Sequence, residues 1–362
     1  MVEAARRRRA VQEARAAGAD AVLLTHAPDV RYLSGFTGSN GAVALAGGQA
    51  VLFTDGRYAA QAKAETRGIR VVVGKQSAAV LAAGWLVQRK VTRCAFDPRH
   101  TTVISLETMR KAVPAGLRQK FFLAKDGLVA GLRELKDASE IMKMRRAAEL
   151  GCSLFEWVLQ YVAAGVAEQE IAAQLEFAAR MAGAEAMSFE TIIASGPRTA
   201  LPHGRASHLK LPRRGFVTMD FGVVLNGYCS DMTRTVHLGK AKERELDVYH
   251  SVLEAQSAAV AAVAAGVSCG DVDEAARSVL RRDKLARWFS HSTGHGVGLE
   301  IHEGPRIAEK QQQKLQAGMV ITIEPGVYLP GELGVRIEDM VLVTAKGCEV
   351  LTAASPKAWI EL

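Results

Sequence analysis

Residues 217–236 read VTMDFGVVLNGYCSDMTRTV. Two runs of β-forming residues flank Asn226-Gly227, a dipeptide suited to a tight hairpin turn. Each arm carries an acid, Asp220 or Asp231, where strand interiors normally exclude one. Folding at the turn is expected to set the two carboxylates opposite one another, about 5 Å apart at Cβ. Residues 320–343, VITIEPGVYLPGELGVRIEDMVLV, follow the same plan. Glu324 and Glu338 sit in their two arms, joined by a longer loop through Gly331 and Gly334. The pair reads as two similar hairpins, an internal echo that a duplicated half would leave.

A buried carboxylate without a partner costs several kcal/mol or takes up a proton. Pairing with arginine is the plain structural solution for any single acid, and Arg234 and Arg336 are close in sequence. For four acids on paired hairpins, a bound cation accounts for more. Four carboxylates are balanced by two divalent ions, whereas one ion leaves a net negative cluster in a poor dielectric.

A nitrogen ligand is available in HSTGHGVGLEIHEGP, residues 291–305, which holds His291, His295 and His302. A lone histidine is more often structural, but these three lie among Gly294, Gly296 and Gly298, which let backbones approach closely. His203 lies in the loop-like LPHGRAS, residues 201–207. Oxygen-rich ligation with one imidazole suits Mn, Co, Fe or Zn.

Outward from these motifs, the chain changes texture. Up to about residue 125, AVLLTH, AVALAG, AVLFTD and RVVVGK read as strands alternating with helices after Asp55 and Ser77. Residues 1–125 are therefore expected to form a smaller α/β domain. Residues 126–362 are expected to form an α+β domain, with strands and helices in separate runs. Asp137 and Glu140 have capping-box spacing. A long helix should follow through about Ala164 and end at Gly165, with others over 168–181, 255–265 and 272–285.

Five scattered cysteines with no CxxC pair argue against disulfides and against a thiolate metal site. The basic run at residues 6–9 precedes no apolar stretch fit for a signal peptide, because Glu13, Arg15 and Asp20 interrupt it. No membrane association is expected, and a reducing cytoplasm is the expected compartment. The net charge of +8 raises nucleic-acid binding. The basic residues are spread along the chain without interleaved aromatics, so no nucleic-acid partner is expected.

With these motifs the chain resembles the pita-bread metallopeptidases, specifically their proline-specific Xaa-Pro aminopeptidase and dipeptidase branch. The resemblance covers nearly the whole chain. It implies a pita-bread catalytic domain behind a creatinase/prolidase-like N-terminal domain, whose YLSGFTGSNGAVAL and LFTDGRYAAQA are similar to segments of aminopeptidases P. It implies five metal ligands, Asp220, Asp231, His295, Glu324 and Glu338, with Asp231 and Glu338 bridging two divalent ions. Mn2+ is the first expectation, with Co2+ or Zn2+ as alternatives. Glu324 would serve as general base and proton shuttle, and His203 or His302 would stabilise the oxyanion. His203, His291, His302, Tyr328 and Arg336 would contact the substrate. The expected activity is that of an Xaa-Pro aminopeptidase acting on peptides with proline at position two. The alternatives are an Xaa-Pro dipeptidase and a non-catalytic binding protein on the same fold. A homodimer is a further implication of the resemblance.

Overall fold

The apolar runs of the first third of the chain pair into one six-stranded sheet. Its strands are β1 Ala21–Leu24, β2 Gly41–Ala46, β3 Gln49–Asp55, β4 Arg70–Gly74, β5 Cys94–Phe96 and β6 Phe122–Ala124, in the order β4-β3-β2-β1-β5-β6. β1 to β3 form an antiparallel meander, and β4, β5 and β6 add in parallel. The helices of this region are α1 Val2–Ala16, α2 Ala27–Ser34, α3 Ala59–Glu65, α4 Ala78–Gln88, α5 Val103–Lys111, α6 Arg118–Phe121 and α7 Ala130–Arg133. Buried Ala82 and Ala83 bring α4 close to the sheet, where Trp85 packs 6.0 Å from the Phe53 ring.

The computed structural model describes residues 2–362, and two compact units divide between Arg133 and Glu134. The break lies beyond the one expected at residue 125. α7 stays with the first unit because Arg133 pairs with Asp29 at 2.9 Å, both buried. Burying either charge alone would be strongly unfavourable.

The second unit begins with the expected capping box. Asp137 accepts from the Ser139 and Glu140 N–H groups, and Glu140 accepts from the Asp137 N–H at 3.0 Å. The helix it starts, α8 Ala138–Val158, ends before Ala164 and closes in a 3-10 turn at Leu159–Tyr161. Gly165, with φ +88°, instead turns the chain so that its N–H reaches the Leu211 carbonyl. α9 Glu168–Met181 has the expected bounds. α10 runs from Glu243 to Ala262, starting earlier than the alanine-rich segment suggested, and α11 spans Cys269–Arg282.

The strands of this unit are β7 Ala186–Met187, β8 Ile192–Ser195, β9 Gly215–Phe221, β10 Val223–Leu225, β11 Tyr228–Cys229, β12 Met232–Leu238, β13 Gly294–Gly296, β14 Glu303–Ile307, β15 Val320–Ile323, β16 Gly326–Leu329, β17 Leu333–Arg336, β18 Asp339–Val343 and β19 Cys348–Val350. They form antiparallel sheets β12-β9-β8 and β14-β13-β15-β18-β19, with the smaller sheets β11-β10-β7 and β16-β17. A core of Val252, Ala259, Val272, Ala276, Ile321, Ile323 and Val341 joins α10 and α11 to the second sheet.

Both expected hairpins are present. Asn226 and Gly227 take φ +51° and +78° between paired Leu225 and Tyr228. This two-residue turn fixes the register and corrects one expectation: Asp220 faces Thr233, not Asp231. Asp231 lies two residues from Thr233 on the same face, so the acids are diagonal neighbours across the ladder. Gly222 permits the pinch between them, since a Cβ there would lie 1.8 Å from the Ser230 carbonyl oxygen. In the second hairpin Ile323 faces Asp339 and Gly326 faces Arg336. That register places Glu324 and Glu338 opposite one another, as expected.

Candidate metal centre and substrate cavity

The hairpins meet at Glu338. Its backbone N–H donates to the Thr233 carbonyl at 3.1 Å, and the Thr233 hydroxyl donates to Glu338 Oε2 at 2.8 Å. β13 brings His295 against them. The glycines on either side of it are required by packing. A Cβ on Gly294 would lie 1.9 Å from the Thr322 carbonyl oxygen, and one on Gly296 2.0 Å from that of Gly304.

Asp231, His295 and Glu338 each offer a ligand atom, and these atoms all lie within 4.8 Å of one another. His295 Nε2 is 3.6 Å from Asp231 Oδ2 and 3.5 Å from Glu324 Oε1. Asp220 stands at the other side, with Oδ2 bonded to Arg336 Nη2 at 2.5 Å and Oδ1 buried without a hydrogen-bond partner. All five expected ligands therefore converge. Arg336 takes the pairing role the sequence allowed, but only for Asp220. Arg234 points away from the cluster and pairs with Asp339 at 2.9 Å.

The donor set fits divalent metal. Burial, then the like charges of Glu338, Asp220 and Glu324, raise Asp231 well above the carboxylate range. Burial and the neighbouring Glu324 and Asp220 do the same to Glu338, and burial lifts Glu324 to about 8. Burial lowers His295 to about 4, so its ring is neutral at pH 7. Its Nδ1 lies 3.0 Å from the Gly296 carbonyl, which fixes the proton there and leaves the Nε2 lone pair facing the carboxylates. A lone pair among carboxylate oxygens is repulsive unless a proton or a metal ion lies between them.

These shifts set a sign for stability against pH. A carboxyl with a raised folded-state value favours the fold below its ordinary value, and the gain is lost as pH rises. For Glu324 that window runs from 4.5 to about 8. His291 and His295, lowered from 6.5 to about 4, act oppositely, but only below their ordinary value. With chelator present, the melting temperature should therefore fall between pH 6.5 and 8.5. With saturating Mn2+ the trend should reverse, because metal competes with protons for these ligands. Calorimetry at the two pH values reads both slopes; a rise with chelator would reject the crowding of the acids.

A cavity of about 610 Å3 opens on the cluster, lined by Asp220, Asp231, His295, Glu324 and Glu338 together with His203, His291, His302 and Arg336. The His302 ring lies 4.4 Å from that of His295. Tyr328 does not line the cavity. It is buried behind it, accepting from Arg336 Nη1 at 2.7 Å and lying 2.8 Å from His291 Nε2. Burial pushes Tyr328 up to about 12 and holds His291 down at about 4, so the phenol donates to the imidazole. Tyr328 thus orients His291.

The motifs left several lining residues unnoticed: Phe189, Ile192 and Ile301, which are apolar, and the cations Arg205 and Arg306. Arg205 pairs with Glu190 at 2.9 Å. Arg306 is exposed and has no acid partner among the described residues. Its place in HEGPRI, four residues beyond His302, was the available signal.

The model of metallopeptidase family M24 matches residues 142–345, which include all five converging residues. The chain belongs to family M24. The creatinase/prolidase N-terminal domain matches residues 6–147. This M24 chain is 43% identical over 233 residues to an Xaa-Pro dipeptidase of Pyrococcus furiosus, covering 64% of this chain and 67% of that one. A solved Xaa-Pro dipeptidase from Bacillus anthracis is 38% identical with a TM-score of 0.95, covering 99% of this chain and 100% of the other. An X-Pro aminopeptidase from Thermotoga maritima is 36% identical with a TM-score of 0.89, covering 97% and 100%. The pita-bread architecture and the metallopeptidase class follow from this membership. No helix among the described residues is long and apolar enough to cross a membrane.

Proposed function

We propose that the protein is a dinuclear metal-dependent Xaa-Pro dipeptidase, hydrolysing the bond before a carboxy-terminal proline. The observation that carries this reading is the full-length likeness to the Bacillus anthracis Xaa-Pro dipeptidase. It supports the dipeptidase alternative better than the aminopeptidase expected from the sequence. Arg306 adds support. In a dipeptide the proline carboxylate is free and close to the scissile bond, and this unpaired cation lines the same cavity. A charge-assisted hydrogen bond to a carboxylate would reward that substrate over longer peptides. The aminopeptidase remains the second reading, favoured by the Thermotoga maritima likeness.

In this reading Asp220, Asp231, His295, Glu324 and Glu338 would hold the metals, and Asp231 and Glu338 would serve both. Manganese is the proposed ion, from the predominance of oxygen donors. Bound divalent ions supply Lewis acidity that lowers the pKa of water and polarises a carbonyl. Glu324 takes the proton of the attacking water and returns it to the proline nitrogen, which carries no hydrogen of its own. His203 and His302 hold the carbonyl oxygen as charge develops on it. His291, fixed by Tyr328, shapes the pocket with Phe189, Ile192 and Ile301, whose apolar faces suit the pyrrolidine ring.

The test compares Ala-Pro, Ala-Pro-Ala and Ala-Ala with the Mn2+-loaded protein and a chelator control. Chelator-sensitive cleavage of Ala-Pro, at least about tenfold above Ala-Pro-Ala, is expected. Arg306→Met should raise KM for Ala-Pro by about tenfold and leave Ala-Pro-Ala unchanged. Faster cleavage of Ala-Pro-Ala would make the protein an aminopeptidase. Cleavage of neither would reject proline specificity.

A further inference from the structure

Glu168 opens α9 and is wholly buried. A glutamate in a first helical turn is ordinarily a solvated partner of the helix dipole. This one accepts five hydrogen bonds, all from the 195–207 segment. Ser195 donates to Oε1 through its N–H and its hydroxyl, both at 2.8 Å. Ser207 donates to Oε2 through its N–H at 3.1 Å and its hydroxyl at 2.7 Å, and the Arg198 guanidinium pairs with the same oxygen. One anion therefore ties both ends of a loop and neutralises the arginine within it.

The post itself is fixed. The Glu168 and Gln169 N–H groups donate to the Leu209 and Ser207 carbonyls at 3.0 Å, and Leu211 N–H donates to the Val166 carbonyl at 2.8 Å. Between the tied ends, residues 201–207 have no helix or strand. This is the stretch that places Pro202, His203 and Arg205 on the cavity wall. The loop also touches the acid cluster's own hairpin. Thr199 accepts from the Gly334 N–H at 2.7 Å, and the Pro202 carbonyl accepts from Arg336 Nη1 at 3.2 Å.

We propose that Glu168 is a positioning residue: by closing the 195–207 loop, its carboxylate sets His203 against the acid cluster. The inference rests on the role given to His203 above. Misplacing such a group by about 1 Å costs about a hundredfold in rate.

The experiment uses the full-length Mn2+-loaded protein and Glu168→Gln, which keeps the side-chain volume but turns an NH2 toward donors. Amide hydrogen exchange is expected to quicken at least about tenfold in peptides spanning 196–208, with β9 and β15 unchanged. kcat/KM for Ala-Pro should fall by about thirtyfold to a hundredfold at unchanged metal content. In a His203→Ala background, the same change should cost less than about twofold, because the two act through one step. Ser207→Ala, which orphans no buried charge, should give the same pattern in smaller degree and serves if Glu168→Gln does not fold. Unaltered exchange in 196–208, or losses that multiply fully with His203→Ala, would overturn the proposal. If the wild-type protein cleaves no Xaa-Pro peptide, the functional reading fails, and the exchange result alone decides whether Glu168 holds the loop.

Discussion

Asp231→Ala is expected to remove divalent metal from the protein and, in the presence of chelator, to make it more stable. The two effects share one cause. Asp231 is buried among three other acids, with His295 Nε2 3.6 Å from its Oδ2. Burial and those like charges drive its carboxyl far above its ordinary range. Removing it takes away the cost of holding a carboxyl in this buried, crowded cluster, so the chelated fold gains a few degrees in melting temperature. It also removes one of the three groups whose ligand atoms lie within 4.8 Å of one another. Outer-shell partners typically contribute about ten- to a hundredfold to metal affinity, so loss of the proposed shared ligand should cost more than about a hundredfold. Elemental analysis after dialysis and melting curves with and without Mn2+ read both signs. Full metal occupancy would reject Asp231 as a shared ligand, and a lower melting temperature in chelator would reject crowding as the source of its shift.

The acids were legible because each breaks a local rule. A carboxylate amid β-formers demands a partner, and four at matching places in two hairpins demand a shared one. What the pattern could not separate was Glu338 from Asp339. Successive strand residues point to opposite faces, and only packing decides which face holds the cluster. Asp339 proves to be structural, bound by Arg234, Gln256, Lys357 and Thr352. Arg234 was available to either acid in the sequence and serves this one. The diagonal offset of Asp220 and Asp231 was countable from the Asn226-Gly227 turn, since a two-residue turn sets the register. The start of α10 was missed for a different reason: ERELDVYHSVLE is polar overall, although Val248, Tyr249 and Val252 already mark a buried stripe. Glu168 lay beyond reach. Its partners are distant in sequence, and it does not violate the preferences of its own element.

Glu324→Gln is expected to lower kcat for Ala-Pro by at least about a thousandfold with the fold intact. General acid–base groups commonly contribute about 10²–10⁴ in rate, and the amide can neither take nor return the proton. Glu324 is suited to that task by place. Its N–H is bonded to the Thr293 carbonyl at 2.7 Å, which fixes the residue just beyond the end of β15. One carboxylate oxygen lies 3.5 Å from His295 Nε2, and the side chain lines the cavity. Glutamine preserves the shape and removes a charge that burial already opposes. Metal content must be measured on the same sample, because the residue is also a proposed ligand. Lost turnover with metal retained assigns the proton-transfer role, whereas lost turnover with lost metal assigns ligation alone. A variant that keeps near-normal kcat would remove Glu324 from the mechanism and leave the proton to another group on the cavity wall, with His302 the next to test, by the same substitution logic and the same paired measurement.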